Sequence, residues 1–157
     1  GFAILIEKGT YLDEKIYQKI TNSALQVYVE NKSYKKYKNY SVLGHLDLIK
    51  RYDKIGDYPF EKTKDIVTEI LKQVIKDGKG IEVNTSNFRY KLNDLTPSRD
   101  ILRLYKELGG EILTIGSDSH AEAHLGHKIQ EIKQELRNIG FTKFCTFEKM
   151  KPIYHNL

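Results

Sequence analysis

The chain has 157 residues, of which 39% are hydrophobic and 30% charged, with 11 Gly and 3 Pro. That is the balance of one ordinary domain, and it excludes a disordered tail, a collagen-like fibre and a low-complexity linker. Twenty-six basic against 21 acidic residues leave a net charge of +5, but most lysines fall on polar helix faces, where charge keeps a surface solvated and names no partner. No apolar run approaches the ~20 residues that span a bilayer. The single cysteine, Cys145, has no partner for a disulfide, and no charged-then-apolar leader opens the chain. A cytoplasmic, reducing compartment is therefore expected.

In chain order, residues 2–6 read as a strand, and Leu12, Ile16, Ile20 and Val27 point to a helix over 13–30. The segment 32–40 alternates Lys and Tyr. It resembles a nucleic-acid contact with stacking rings among charges, although a solvated helix end leading into a strand is the favoured reading. Residues 42–45, 80–84, 112–115 and 143–147 are short, apolar or β-branched runs of strand type. Between them lie helical periods. Residues 62–76 carry Ile66, Ile70 and Val74 beside Val67, Leu71 and Ile75, stopped by Asp77-Gly78. A second helix is expected to start at Thr96-Pro97 and to present Ile101, Leu104, Tyr105 and Leu108, ending at Gly109-Gly110. A third spans 126–138 and stops at Gly140. The order β-α-β-α-β-α-β predicts an α/β domain with parallel strands in chain order, joined by right-handed helical crossovers that cover one side of the sheet.

Active sites of parallel α/β folds gather at the carboxyl ends of the strands. Those ends hold Gly44-His45-Leu46-Asp47, Glu82-Val83-Asn84-Thr85-Ser86 and Gly116-Ser117-Asp118-Ser119-His120. Histidine with carboxylate suits a divalent metal such as zinc, manganese or iron. In an extended chain, residues two apart share a face, so Asp118 and His120 are expected to point into one pocket. Arg51 and Arg89, which follow the first and second of these ends, suit a phosphate, because a guanidinium holds two oxygens at once. Metal with arginine points to phosphoester hydrolysis. His124, His127 and His155 read as surface residues.

The strings Tyr40-Ser41-Val42-Leu43-Gly44-His45-Leu46-Asp47-Leu48-Ile49-Lys50-Arg51-Tyr52, Glu82-Val83-Asn84-Thr85-Ser86, Tyr105-Lys106-Glu107-Leu108-Gly109-Gly110, Gly116-Ser117-Asp118-Ser119-His120 and Phe147-Glu148-Lys149 follow one another in order. Together they resemble the C-terminal half of histidinol-phosphatase of the PHP (polymerase and histidinol phosphatase) superfamily, over about residues 39–152. The resemblance implies a distorted (β/α)7 barrel with a trinuclear cluster of divalent metals, and hydrolysis of L-histidinol phosphate in histidine biosynthesis. It also implies His45, Asp118 and His120 as metal ligands, with Asp118 and His120 at the catalytic centre. Arg51, Ser117 and Arg89 would face the substrate phosphate, and Glu82 and Asn84 would play supporting parts.

Residues 1–40 lack the family's opening His-x-His motif, its bridging glutamate and an earlier strand-end histidine. Residues 1–157 are therefore expected to form a single partial PHP domain, the C-terminal part of a longer enzyme, with its own N-terminal half or another copy of the chain as a partner. Two other classes compete with this one: a PHP-type phosphoesterase acting on nucleotides, and a non-catalytic remnant that binds partners. A small phosphorylated metabolite is the expected ligand, without membrane and with nucleic acid disfavoured.

Overall fold

Ile81 and Val83 are buried to the last square ångström, whereas Glu82 between them keeps a quarter of its side chain in solvent. That alternation in strand β2 (Gly80–Asn84) organises the fold. The computed structural model describes residues 39–52 and 59–157; the strand expected at 2–6, the helix at 13–30 and the Lys/Tyr segment up to residue 38 lie outside the described residues. Strand β1 (Val42–Leu43) pairs with β2 in parallel, Leu43 opposite Ile81. On the other side β2 pairs in parallel with β3 (Leu113–Gly116), with Ile81, Glu82, Val83 and Asn84 opposite Leu113, Thr114, Ile115 and Gly116. The sheet order β1-β2-β3 is chain order, as expected. One face thus carries Ile81, Val83, Leu113 and Ile115; the other carries Glu82, Asn84, Thr114 and Gly116.

The apolar face is covered by three helices, α1 (Lys64–Lys76), α2 (Arg99–Glu107) and α3 (Ile129–Ile139). Val67, Ile70, Leu71 and Val74 of α1, Ile101, Leu102, Leu104 and Tyr105 of α2, and Ile132 and Leu136 of α3 join Ile81, Val83 and Leu113 in one core. Asp65 in the first turn of α1 and Lys76 in its last complement the helix dipole. Tyr105 is fully buried, yet its hydroxyl donates to the carbonyl of Ile112 at 3.0 Å, and its burial pushes the phenol pKa upward. Among the described residues no helix is long and apolar enough to cross a membrane.

Two elements differ from expectation. Helix α2 starts after Ser98 rather than at Thr96-Pro97. The carbonyl of Thr96 instead accepts from the Asn84 amide at 2.7 Å, and the Asp94 carboxylate receives the Arg99 amide at 3.1 Å. The second difference is a correction to the topology. The fourth strand, β4 (Lys143–Glu148), does not extend the parallel ladder; it pairs antiparallel with β5 (Lys151–Asn156) in a separate two-stranded sheet. It still runs beside β3, with the buried Cys145 thiol facing the Leu113 main chain. Burial raises that thiol's pKa, so the cysteine packs as a small hydrophobe. The hairpin closes through Lys149 and Met150, both at positive φ (49° and 64°), the pattern of a type I′ turn. Such turns ordinarily take Asn-Gly.

Two outcomes follow from this packing. Leu71→Ala empties a fully buried site and should lower the unfolding free energy by about 2–5 kcal/mol in urea titration. Replacing Lys149-Met150 with Asn-Gly relieves left-handed strain worth about 1 kcal/mol per residue and should raise Tm by calorimetry.

Candidate metal and phosphate site

The polar face of the sheet leads to the rim where β1, β2 and β3 end. Glu82 rises between its two neighbouring strands because glycine flanks it on both sides. A Cβ on Gly44 would stand 3.3 Å from Glu82 Oε2, and one on Gly116 would stand 2.9 Å from Oε1. The two glycines make the cradle in which this carboxylate sits.

Beyond β1 the chain turns sharply, with His45 at φ 57° and Asp47 at φ 70°. Histidine and aspartate are among the few L-residues that accept this region. The turn sends the two side chains in different directions. His45 Nε2 reaches 3.9 Å from Glu82 Oε2 and 4.0 Å from Asp118 Oδ1. Asp47 leaves the rim altogether: it is half-buried, pairs with Lys50 Nζ at 3.0 Å and accepts from the Ser98 main chain. Desolvation pushes its carboxyl pKa up, and Lys50 pulls it back. Asp47 therefore anchors the turn that presents His45.

Beyond β3 the geometry also departs from the extended chain expected there. Residues 117–119 are outside any strand, and Asp118 has φ 49°. A left-handed turn, rather than the pleat of a strand, brings Asp118 and His120 together, with Oδ1 3.5 Å from His120 Nε2. One oxygen of Asp118 thus lies between the imidazoles of His45 and His120. Ser117 is buried beside them, its hydroxyl 2.8 Å from that of Ser119 and accepting the Gly126 amide at 3.2 Å.

The turn after β2 is the third wall. It is built from polar residues that are almost wholly buried: Asn84, Thr85, Ser86 and Asn87. The Ser86 amide donates to Asn84 Oδ1 at 2.8 Å, and the Thr85 amide donates to the Gly116 carbonyl at 2.9 Å. The turn continues as a 3-10 helix, Ser86–Tyr90. Arg51 comes to it from the first strand end, bonded to the Ser86 hydroxyl with its guanidinium carbon 4.1 Å from the Tyr90 ring centroid. Its Nε is buried without a hydrogen-bond partner. Arg89, expected at a phosphate, donates from its two terminal nitrogens to the carbonyls of Ser117 (2.7 Å) and Asp118 (2.8 Å).

Chemically, His45, Asp118 and His120 with Glu82 are donors of the kind divalent ions take. The ligands of a tetrahedral zinc, each about 2.0–2.2 Å from the ion, stand roughly 3.3–3.6 Å from one another. Asp118 and His120 meet that spacing, and His45 is slightly wider. The Glu82 cradle keeps the carboxylate on that side clear of β-carbons. Among the described residues, however, no group of three or more His, Cys, Asp or Glu side chains is arranged to hold a metal ion. The Asp118–His120 pair has the spacing of two ligands of one ion, and closing a shell around such an ion takes further donors.

Comparison with known proteins gives the frame for this geometry. The chain is 35% identical over 102 residues to a probable histidinol-phosphatase of Thermotoga maritima, covering 65% of this chain and 42% of the relative. It is 32% identical over 117 residues to the histidinol-phosphatase of Lactococcus lactis, covering 73% of this chain and 43% of the relative. The chain belongs to the histidinol-phosphatase family, as a C-terminal portion of it. The crystal structure of histidinol phosphate phosphatase from Lactococcus lactis, complexed with zinc, L-histidinol and phosphate, aligns with a TM-score of 0.68 and 27% identity over 90% of this chain and 52% of that one. The chain thus spans less than half the length of the curated relatives it matches. No family model matches it.

Within this histidinol-phosphatase portion the expected residues divide into two groups. His45, Asp118 and His120 converge on one oxygen, and Arg51 and Arg89 meet on one turn, with Arg89 joining that turn to Ser117 and Asp118. His155 is exposed, as expected, and contacts Thr146 at 2.8 Å and the Phe144 ring. His124 and His127 are half-buried rather than on the surface, because the loop before α3 folds back and Thr85 Oγ1 donates to the His127 carbonyl at 2.6 Å. Ser86 stands in the sequence only as the last residue of a strand-end string, without a role, and Tyr90 is absent from that reading; the signal for both is their i, i+4 spacing in a short polar turn beside Arg89.

Asp47→Ala would leave Lys50, only 13% exposed, without its 3.0 Å partner. The expected outcome is a loss of about 3 kcal/mol in thermal or urea unfolding, far more than an exposed carboxylate costs.

Proposed function

We propose that this chain supplies the C-terminal part of a metal-dependent histidinol-phosphatase, a phosphomonoesterase that converts L-histidinol phosphate and water to L-histidinol and phosphate. Residues 1–157 are one partial PHP domain, which N-terminal strands complete into a distorted (β/α)7 barrel. The observation that carries this reading is the meeting of His45 and His120 on Asp118 Oδ1, in a chain that resembles a phosphatase crystallised with zinc, L-histidinol and phosphate. A cytoplasmic setting accords with the single buried cysteine.

His45, Asp118 and His120 would hold divalent metal, zinc by the resemblance, with manganese or iron equally suited to these donors, as part of a trinuclear cluster in the complete site. When bound, such an ion supplies Lewis-acid polarisation of the ester and a lowered pKa for the attacking water. The chain's own residues do the rest. Glu82, held between Gly44 and Gly116, stands 3.9 Å from His45 Nε2 and adds a carboxylate to that side of the site. Arg51 is a cation preset on the Tyr90 ring beside the Ser86 hydroxyl, a charge placed for a phosphate oxygen. The Ser117 hydroxyl adds a second polar group beside Asp118.

Phosphate release from L-histidinol phosphate, with zinc or manganese supplied, tests the proposal. The chain alone should turn over feebly, because three metal ions need more donors than these residues offer, and its N-terminal portion should restore activity. Asp118→Asn should then lower kcat by at least about 10²-fold with the fold intact, while Arg51→Ala should act chiefly on KM. Full turnover by the isolated chain would overturn the ligand count, and equal turnover of nucleoside monophosphates would favour the nucleotide-directed alternative.

A further inference from the structure

Arg89 sits in the 3-10 turn Ser86–Tyr90, and its planar fork spans two successive carbonyls of the loop after β3, Ser117 at 2.7 Å and Asp118 at 2.8 Å. The residue it grips is the one whose backbone is strained: Asp118 at φ 49° lies in the left-handed region, which L-residues seldom adopt. An isolated loop would relax to extended backbone, and the carboxylate would swing away from the imidazoles. Two charge-assisted hydrogen bonds from one planar fork hold it there against that relaxation. The loop is pinned on either flank as well, by the Thr85 amide on the Gly116 carbonyl at 2.9 Å and the Gly126 amide on the Ser117 hydroxyl at 3.2 Å. These contacts seat Ser117; Arg89 reaches on to the Asp118 carbonyl.

The two arginines that meet at this turn differ in what they hold. Arg51 rests on the Tyr90 ring and the Ser86 hydroxyl, whereas Arg89 spends one N–H of each terminal nitrogen on the main chain of the Asp118 loop. We propose that Arg89 is a positioning residue: it clamps the backbone at Ser117 and Asp118 so that the Asp118 carboxylate is held between His45 and His120, and it sets metal affinity rather than binding the phosphate. This inference rests on the reading of Asp118 as a metal ligand.

Zinc affinity, measured by competition with a chelating dye on the enzyme completed with its N-terminal portion, separates the possibilities. Arg89→Met should weaken zinc binding by roughly 10–100-fold, the usual cost of losing a group that orients a ligand. Arg89→Lys keeps the charge and much of the bulk but reaches only one carbonyl, so it should fall between Met and wild type; it also serves where the Met variant fails to fold. Once zinc is saturating, inorganic phosphate should bind Arg89→Lys within about twofold of wild type, while Arg51→Ala should bind it at least about tenfold more weakly. Zinc affinity unchanged in both Arg89 variants, with phosphate binding lost, would overturn the clamp alone. Zinc affinity unchanged in Asp118→Asn would overturn the site reading itself, and the clamp with it.

Discussion

Strand β2 is the element to which the others are referenced. Its backbone is paired on both edges, with β1 and β3, so it has no freedom to slip without breaking two ladders. Because side chains alternate across a strand, one register places Ile81 and Val83 in the core and Glu82 and Asn84 on the opposite face. Burying each of the two apolar side chains contributes about 1.5–3 kcal/mol. A slip of one residue would exchange core and site at once. The hydrophobic effect that secures the sheet thus also aims the Glu82 carboxylate, and Gly44 and Gly116 leave the space it needs.

The groups with chemistry stand just past the strand ends, on turns whose backbone is held in unfavourable conformations. His45, Asp47, Lys91 and Asp118 all have positive φ. Each such residue costs of order 1–3 kcal/mol and persists only where its surroundings overdetermine it. Those surroundings are identifiable. Asp47 is tied to Lys50 and the Ser98 main chain, and the Asp118 loop is tied to Arg89. Buried polar bonds of this kind contribute modest net stability but prescribe geometry closely, because breaking one leaves a charge or carbonyl unsatisfied. The same logic extends to the outer layer, where Arg99 bonds to Asp94 of the preceding turn and to Glu135 of α3, locking two crossover helices together.

The amino-acid sequence by itself determined the three parallel strands, the helices between them and the residues that converge at the rim. Apolar spacing of 2 and 3.6 needs no knowledge of the rest of the chain, and His45, Asp118 and His120 stand in strings that resemble those of the histidinol-phosphatase family. Tertiary structure decided the remainder. The β4–β5 hairpin was illegible because Lys149-Met150 carries none of the Asn or Gly that marks a type I′ turn; the antiparallel register that sets Glu148 opposite Lys151 closes the chain through two left-handed residues all the same. The start of α2 moved because Thr96 answers to Asn84, a partner in β2. Asp47 and His45, two residues apart, diverge because the chain between them turns rather than extends. The difference between Arg51 and Arg89 was also beyond the sequence. Both are arginines near one rim, and what separates them is which acceptor lies within 3 Å; for Arg89 those acceptors are backbone carbonyls, which every residue possesses and no residue type announces.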